Sequence, residues 1–188
     1  MKKLVVATGN PGKLKEMQAY LAALDWELTL KPEELDIEET GDTFAANACL
    51  KASYVAKATQ NWAIADDSGL QIKALNGAPG VYSARYAPTD EERIARVLRE
   101  LGNTQNREAA FICSLAVSSP DGQIVYQSEG ICPGEIIYQS RGQGGFGYDP
   151  IFYVPEKQLT FAEMSATEKK SISHRGKALA SLLQMMNQ

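Results

Sequence analysis

Asp66 and Asp67 are adjacent carboxylates followed by Ser68 and Gly69, and they close an apolar run, Trp62-Ala63-Ile64-Ala65. Two neighbouring carboxylates repel, so at neutral pH such a pair needs a cation, a shared proton or full solvation. Mg²⁺ is the natural cation, because this hard ion takes oxygen ligands and is held by one or two carboxylates together with waters and substrate phosphates. The same residues also read as an exposed turn, since Asp, Ser and Gly are ordinary turn formers. Glu38 and Glu39 are a second acidic pair. If a strand runs through them they point to opposite faces, so at most one would face a metal shared with Asp67. His174 is the only histidine. Two-histidine motifs are therefore excluded, and a Ser-His-Asp triad would have to use that residue. Cys49, Cys113 and Cys132 are odd in number and widely spaced, which argues against a disulfide framework and a thiolate metal site and leaves them as core thiols. The chemistry must rest mainly on carboxylates and metal.

Two further stretches have residue types suited to a phosphorylated, aromatic ligand. Thr8-Gly9-Asn10-Pro11-Gly12-Lys13 follows the β-prone run Leu4-Val5-Val6-Ala7 and precedes Leu14, Met17, Leu21 and Leu24 at helical spacing. Asn10 can cap that helix and Pro11 suits its first position. The free backbone N–H groups and positive dipole end then face the loop, a setting that binds phosphate. Lys13 and Lys15 add positive charge, although the spacing is not that of a Walker loop. Gly142-Gln143-Gly144-Gly145-Phe146-Gly147-Tyr148-Asp149-Pro150 places four glycines around an aromatic ring. Glycine lets backbone approach a ligand, and an exposed Phe or Tyr offers a face on which a base stacks; the alternative is a flexible loop with Phe146 anchored in the core. Near the C-terminus, Lys169, Lys170, His174, Arg175 and Lys177 crowd the first half of a predicted helix that Ser165 and Glu168 can open as a capping box. A helix start disfavours cations, so an anionic ligand would compensate, unless these are solvated side chains.

The elements that must position these groups are legible from periodicity and turn residues. Trp62–Ala65 reads as a buried strand bringing the acids to its C-terminal tip. Glu27–Leu30 and Leu35–Glu39 read as strands, and Asp42 as the cap of a helix whose apolar side is Phe44, Ala48, Ala52 and Val55, with Lys51 and Lys57 exposed. Leu70, Ile72 and Ala74 alternate as a further strand, followed by a loop at Asn76–Gly80. Thr89 and Glu92 form a capping box ahead of the stripe Ile94, Val97, Leu98 and Leu101, which stops at Gly102. Phe111–Val117 and Gln123–Gln127 flank Pro120-Asp121-Gly122 as a β-hairpin, and another strand is expected at Ile136–Tyr138. The predicted sheet is mixed.

At 188 residues, 44% hydrophobic and 22% charged, the chain is long enough for one sizeable core, and residues 1–188 are expected to form one domain with two lobes. A net charge of −4 offers no broad attraction for nucleic acid or anionic membrane. No apolar stretch reaches the ~18 residues of a membrane span, and no apolar region follows Lys2 and Lys3, so a soluble cytoplasmic protein is expected.

Taken together, Thr8–Lys13, Ala65-Asp-Asp-Ser-Gly69, Pro79-Gly-Val-Tyr-Ser-Ala-Arg85, Phe146-Gly-Tyr-Asp-Pro150 and Ser173-His-Arg175, in that order, resemble the inosine triphosphate pyrophosphatase family over nearly the full length. The resemblance implies an elongated mixed sheet flanked by helices in two lobes, with the active site in the cleft between them, and a homodimer. It also implies Mg²⁺-dependent hydrolysis of ITP, dITP or XTP to the monophosphate and pyrophosphate. Carried over by motif, the segment Thr8, Gly9, Asn10, Pro11, Gly12 and Lys13 would hold the triphosphate. Asp67 would be the metal-linked proton acceptor, with Glu38 or Glu39 as second metal ligand. Ser68 would touch substrate, Phe146, Gly147, Tyr148 and Asp149 would frame the base, and Lys169, His174 and Arg175 would surround the nucleotide. One departure is Ala46, where many relatives carry Glu. Competing readings are a Maf-like nucleotide pyrophosphatase and a nucleotide-binding module without turnover.

Overall fold

The computed structural model describes residues 2–22 and 25–187, so Leu24 of the predicted first helix lies outside the described residues. Seven strands form one sheet: β1 (Lys2–Val6), β2 (Trp26–Leu30), β3 (Trp62–Ile72), β4 (Glu108–Ser118), β5 (Ile124–Ile136), β6 (Phe152–Val154) and β7 (Leu159–Thr160), in the order β2-β1-β3-β4-β5-β6-β7. Pairing of β1 with β2 and β3 is parallel, while β6 pairs antiparallel with β5 and β7. The sheet is mixed, as expected. Five helices accompany it among the described residues: α1 (Pro11–Leu21), α2 (Phe44–Thr59), α3 (Asp90–Leu101), α4 (Ala166–Ile172) and α5 (His174–Met186).

Local chemistry sets the helix starts. The Asn10 side chain accepts from the Gly12 and Lys13 N–H groups with Pro11 in the first turn, and capping boxes join Thr89 to Glu92 and Ser165 to Glu168. Gly102, at φ 51°, ends α3 in a conformation that favours glycine. Thr43 caps α2, in place of the expected Asp42, by accepting from Ala46 N–H. The single cationic helix expected near the C-terminus is two helices, because Ser173 adopts an extended ψ of 157° and interrupts it.

Three strand expectations are corrected. β3 does not stop at the acids but runs through Asp66-Asp67-Ser68-Gly69 to Ile72, so the run expected at Leu70–Ala74 is largely its second half, and Lys73–Leu75 is a 3₁₀ turn. Residues 35–39 form no strand: Leu35 N–H bonds to Pro32 O and Asp36 N–H to Glu34 O, a local turn that uses the groups a ladder would need. The strand expected at Ile136–Tyr138 is absent because β5 itself extends through Gly130 and Pro133 to end at Ile136.

The chain divides into two compact units. The first contains the residues up to Asp67, Cys113–Gly130 and those from Arg175 onward. Alternation along its strands separates two buried clusters. Leu4, Val6, Ile64, Leu115 and Val117 pack with Met17 and Leu21 of α1 and Leu179 and Leu182 of α5, whereas Val5, Ala63, Ala65 and Ala116 pack with Ala48, Ala52 and Val55 of α2. The second unit, Ser68–Ile112 and Ile131–His174, is built around Leu70, Ile72, Val97, Leu101 and an aromatic group in which the Phe111 ring lies 4.6 Å from Phe152 and 5.6 Å from Phe161. Each fully buried Val, Leu, Ile, Met or Phe side chain in these clusters contributes ~1.5–3 kcal/mol.

Candidate active site

The alternation that sorts the core of the first unit also sorts its acids. Ile64 faces the α1 and α5 cluster, so Asp66, two residues on, belongs to that side, while Ala65 and Asp67 belong to the side of α2. The two carboxylates meet different cations. Asp66 is buried, and its Oδ2 lies 3.1 Å from Lys13 Nζ and 3.2 Å from Arg175 Nη2. Burial alone would raise its pKa, but Lys13, Arg175 and Lys51 outweigh it and hold the group well below the usual carboxylate range. Arg175 also pairs through Nη1 with Glu16 on α1. Buried charges persist when paired in this way.

Asp67 Oδ2 accepts a 3.0 Å hydrogen bond from Asn47 Nδ2, and Oδ1 lies 3.6 Å from Lys51 Nζ, which is 2.5 Å from Glu39 Oε1. Asn47 Oδ1 accepts from Gly41 N–H at 2.7 Å, fixing the amide and the segment that carries Glu39. Burial raises the Asp67 pKa; Lys51 opposes that, Glu39 reinforces it, and the net shift is upward. For Lys51, burial pushes the pKa down, but Asp66, Asp67 and Glu39 together leave it raised. The ammonium stays charged.

Sequence reasoning placed Lys51 on the exposed side of α2, and the structure corrects this: Lys51 is buried. The signal was present, since Phe44, Ala48, Lys51, Ala52 and Val55 fall at i, i+4, i+7, i+8 and i+11, one helical face. Asn47 and Glu16 were missed because neutral amides and lone surface-type acids have no distinguishing local pattern. Of the acidic pair, Glu39 is the one brought to Asp67, while Glu38 is exposed. Together they pass a test for Mg²⁺ on chemical grounds: Glu39 and Asp67 supply the two hard oxygen donors that a phosphate-bound Mg²⁺ takes from protein, and they already converge on a cationic group, the Lys51 ammonium.

In the phosphate-type loop, Thr8 Oγ1 accepts from Asn10 N–H at 3.2 Å, and the capped start of α1 leaves Lys13 beside Asp66. Thr8 through Lys13 and Asp67 thus belong to the first unit, as does Arg175, while Ser68 and the residues assigned to the base belong to the second. There, Asp149 is buried and its Oδ2 accepts from Lys169 Nζ at 2.7 Å and from Phe146 N–H at 3.1 Å. Gly145, at φ 73°, is required at this turn: a Cβ there would lie 2.0 Å from Asp149 Oδ2. Phe146 is half-buried, and Lys169 Nζ stands 4.8 Å from its ring centroid. Tyr148 is buried and donates through its hydroxyl to Ser83 O at 2.8 Å; Gly147 N–H donates to Asp90 Oδ2. His174 lies stacked on Phe111 with ring centroids 4.7 Å apart. The structure therefore groups Phe146 to Asp149 with Lys169.

In the first unit a capped helix start with a lysine and two carboxylates around an ammonium suit an anionic ligand, and in the second a glycine-aromatic loop braced by an aspartate–lysine pair suits a ring. The chain belongs to the Ham1 family, whose model matches residues 4–185. A dITP/XTP pyrophosphatase of Nostoc sp. is 72% identical over 185 residues, covering 98% of this chain and 94% of the relative, and one from Synechocystis sp. is 60% identical, covering 97% and 94%. Among solved structures, a HAM1 protein from Coxiella burnetii superposes with a TM-score of 0.92 at 46% identity, covering 100% of this chain and 99% of the other. These findings bear out the family resemblance read from the five motifs.

Proposed function

We propose that this protein hydrolyses the non-canonical purine nucleoside triphosphates ITP, dITP and XTP to the monophosphate and pyrophosphate with Mg²⁺. The observation that carries the reading is the convergence of Glu39 and Asp67 on one cationic position, with the Asp67 carboxylate oriented by Asn47. The names and identities of the relatives supply the substrate class. A net charge of −4 accords with a small substrate carrying its own metal better than with nucleic acid.

In this reading the start of α1 and Lys13 bind phosphate oxygens, and Lys51 adds a second fixed positive charge. Glu39 and Asp67 hold the metal. Mg²⁺, when bound, neutralises phosphate charge and lowers the pKa of the attacking water. Asp67 orders that water and accepts its proton as the water oxygen bonds to phosphorus and the anhydride bond to the departing pyrophosphate breaks. Asn47 keeps one Asp67 oxygen directed while the other faces the Lys51 ammonium. Phe146 stacks on the base, with Lys169 as a donor toward its C6 oxygen. Ser68, Gly147, Tyr148, His174 and Arg175 complete the nucleotide contacts carried over from the family resemblance. Purified protein incubated with ITP should release pyrophosphate in stoichiometric amounts with the monophosphate when Mg²⁺ is present, and lose that activity with EDTA. Bound ITP without turnover would make the protein a nucleotide-binding module and overturn the proposal.

A further inference from the structure

We propose that Asp90 is a positioning residue for base binding, fixing the Phe146–Gly147 peptide so that the Phe146 ring stands as a rigid stacking platform; the inference rests on the base-stacking role proposed for Phe146. Asp90 opens α3, and its carboxylate is divided between two tasks. Oδ1 pairs with Arg93 Nη1 at 2.7 Å, and Arg93 Nε donates to Ala87 O at 2.9 Å, which braces the acid from its own helix. Oδ2 accepts a 2.7 Å hydrogen bond from Gly147 N–H. The peptide on the other side of Phe146 is fixed as well, since Phe146 N–H donates to Asp149 Oδ2 at 3.1 Å. Carboxylates from two separate segments therefore hold the two peptide planes that set the direction of one aromatic side chain. Gly147 itself stands at φ 61°, a conformation that favours glycine, and turns the chain away beyond the held peptide.

A platform ordered before the base arrives spares the ligand the entropic cost of ordering it. Such a contribution acts equally on bound substrate and transition state, so it appears in KM and not in kcat. Steady-state hydrolysis of ITP with Mg²⁺, together with inhibition by inosine monophosphate and by pyrophosphate, should be measured for wild type, Asp90→Ala, Asp90→Asn and Glu91→Gln. In Asp90→Ala the KM for ITP and the inhibition constant for inosine monophosphate should rise about fivefold, the size expected when one hydrogen bond of ordinary net strength is lost. Its kcat and its inhibition by pyrophosphate should stay within about twofold of wild type. Asp90→Asn, which keeps an acceptor oxygen, should recover most of the loss. Glu91→Gln removes a charge from the same helix turn without touching the loop and should behave as wild type. Should Asp90→Ala fail to fold, Asp90→Ser, too short to reach Gly147 yet suited to a helix start, takes its place. Unchanged KM in a folded Asp90 variant, or an equal rise in Glu91→Gln, overturns the role of Asp90 alone. Wild-type protein that does not hydrolyse ITP overturns this inference together with the functional reading beneath it.

Discussion

Asp67 is the side chain on which the proposed chemistry converges, because it is buried, its pKa is raised, and it contacts both an oriented amide and an ammonium. Asp67→Asn preserves shape but removes the proton acceptor and a metal charge. It should lower kcat for ITP by ~10²–10⁴-fold with the melting temperature largely kept, and activity within a few-fold of wild type in folded protein would reject the assignment. Phe146→Ala should raise KM while kcat holds, since stacking favours substrate and transition state alike. An unchanged KM with a depressed melting temperature would return Phe146 to a packing role. At this scale residue type misled at Lys51, which was assigned to solvent by its charge although its helical position lies on the apolar stripe of α2. A lysine is tolerated there because Glu39 and Asp67 compensate its burial, and neither partner is identifiable from the helix alone.

Elements whose determinants are local were legible. Caps at Asn10, Thr89 and Ser165, the stop at Gly102 and the apolar stripes of α3 and α5 depend on residues within a few positions of one another. Leu182, fully buried on α5 against β-strand residues of the first unit, tests such a stripe. Leu182→Ala should cost ~2–5 kcal/mol through lost burial and the cavity left behind. The exposed neighbour Gln184→Ala should change stability by no more than ~0.5 kcal/mol; urea titration of both variants provides the measurement, and similar midpoints would argue against the packing described. Strand ends were harder to place. Turn-forming residues at 66–69 suggested that β3 ends there, yet extended backbone continues because Leu70 and Ile72 have their own buried cluster to enter. Conversely, alternation at 35–39 suggested a strand that Pro32 and local turn bonds pre-empt.

For the whole molecule the decisive property is which nucleotide it accepts. Hypoxanthine and xanthine carry an acceptor oxygen at C6, whereas adenine presents a donor amino group there, which would face the Lys169 ammonium donor to donor; polar mismatches of this kind discriminate by ~10⁴-fold or more. Competition kinetics with Mg²⁺ should therefore favour ITP, dITP and XTP over ATP; guanine shares the C6 oxygen, so GTP should be refused at its 2-amino group, and ITP and dITP should differ little. ATP or GTP matching ITP in kcat/KM would refute the substrate assignment even if pyrophosphate release were established. Among the described residues no helix is long and apolar enough to cross a membrane. The sequence by itself determined the family, the acidic, phosphate-type and glycine-aromatic motifs, and the capped helices, because each is written in residue types at short spacing. Tertiary structure alone decided how the acids are used. β3 turns its adjacent carboxylates to opposite faces, and the helices covering those faces bring Lys13 and Arg175 to Asp66 but Asn47 and Lys51 to Asp67, with Glu39 reaching Lys51 from the segment ahead of α2. Arg175 meets Asp66 across 109 positions and Glu16 across 159. Contacts at that separation are set by strand order and by the helix that buries each face, which no local window of sequence contains.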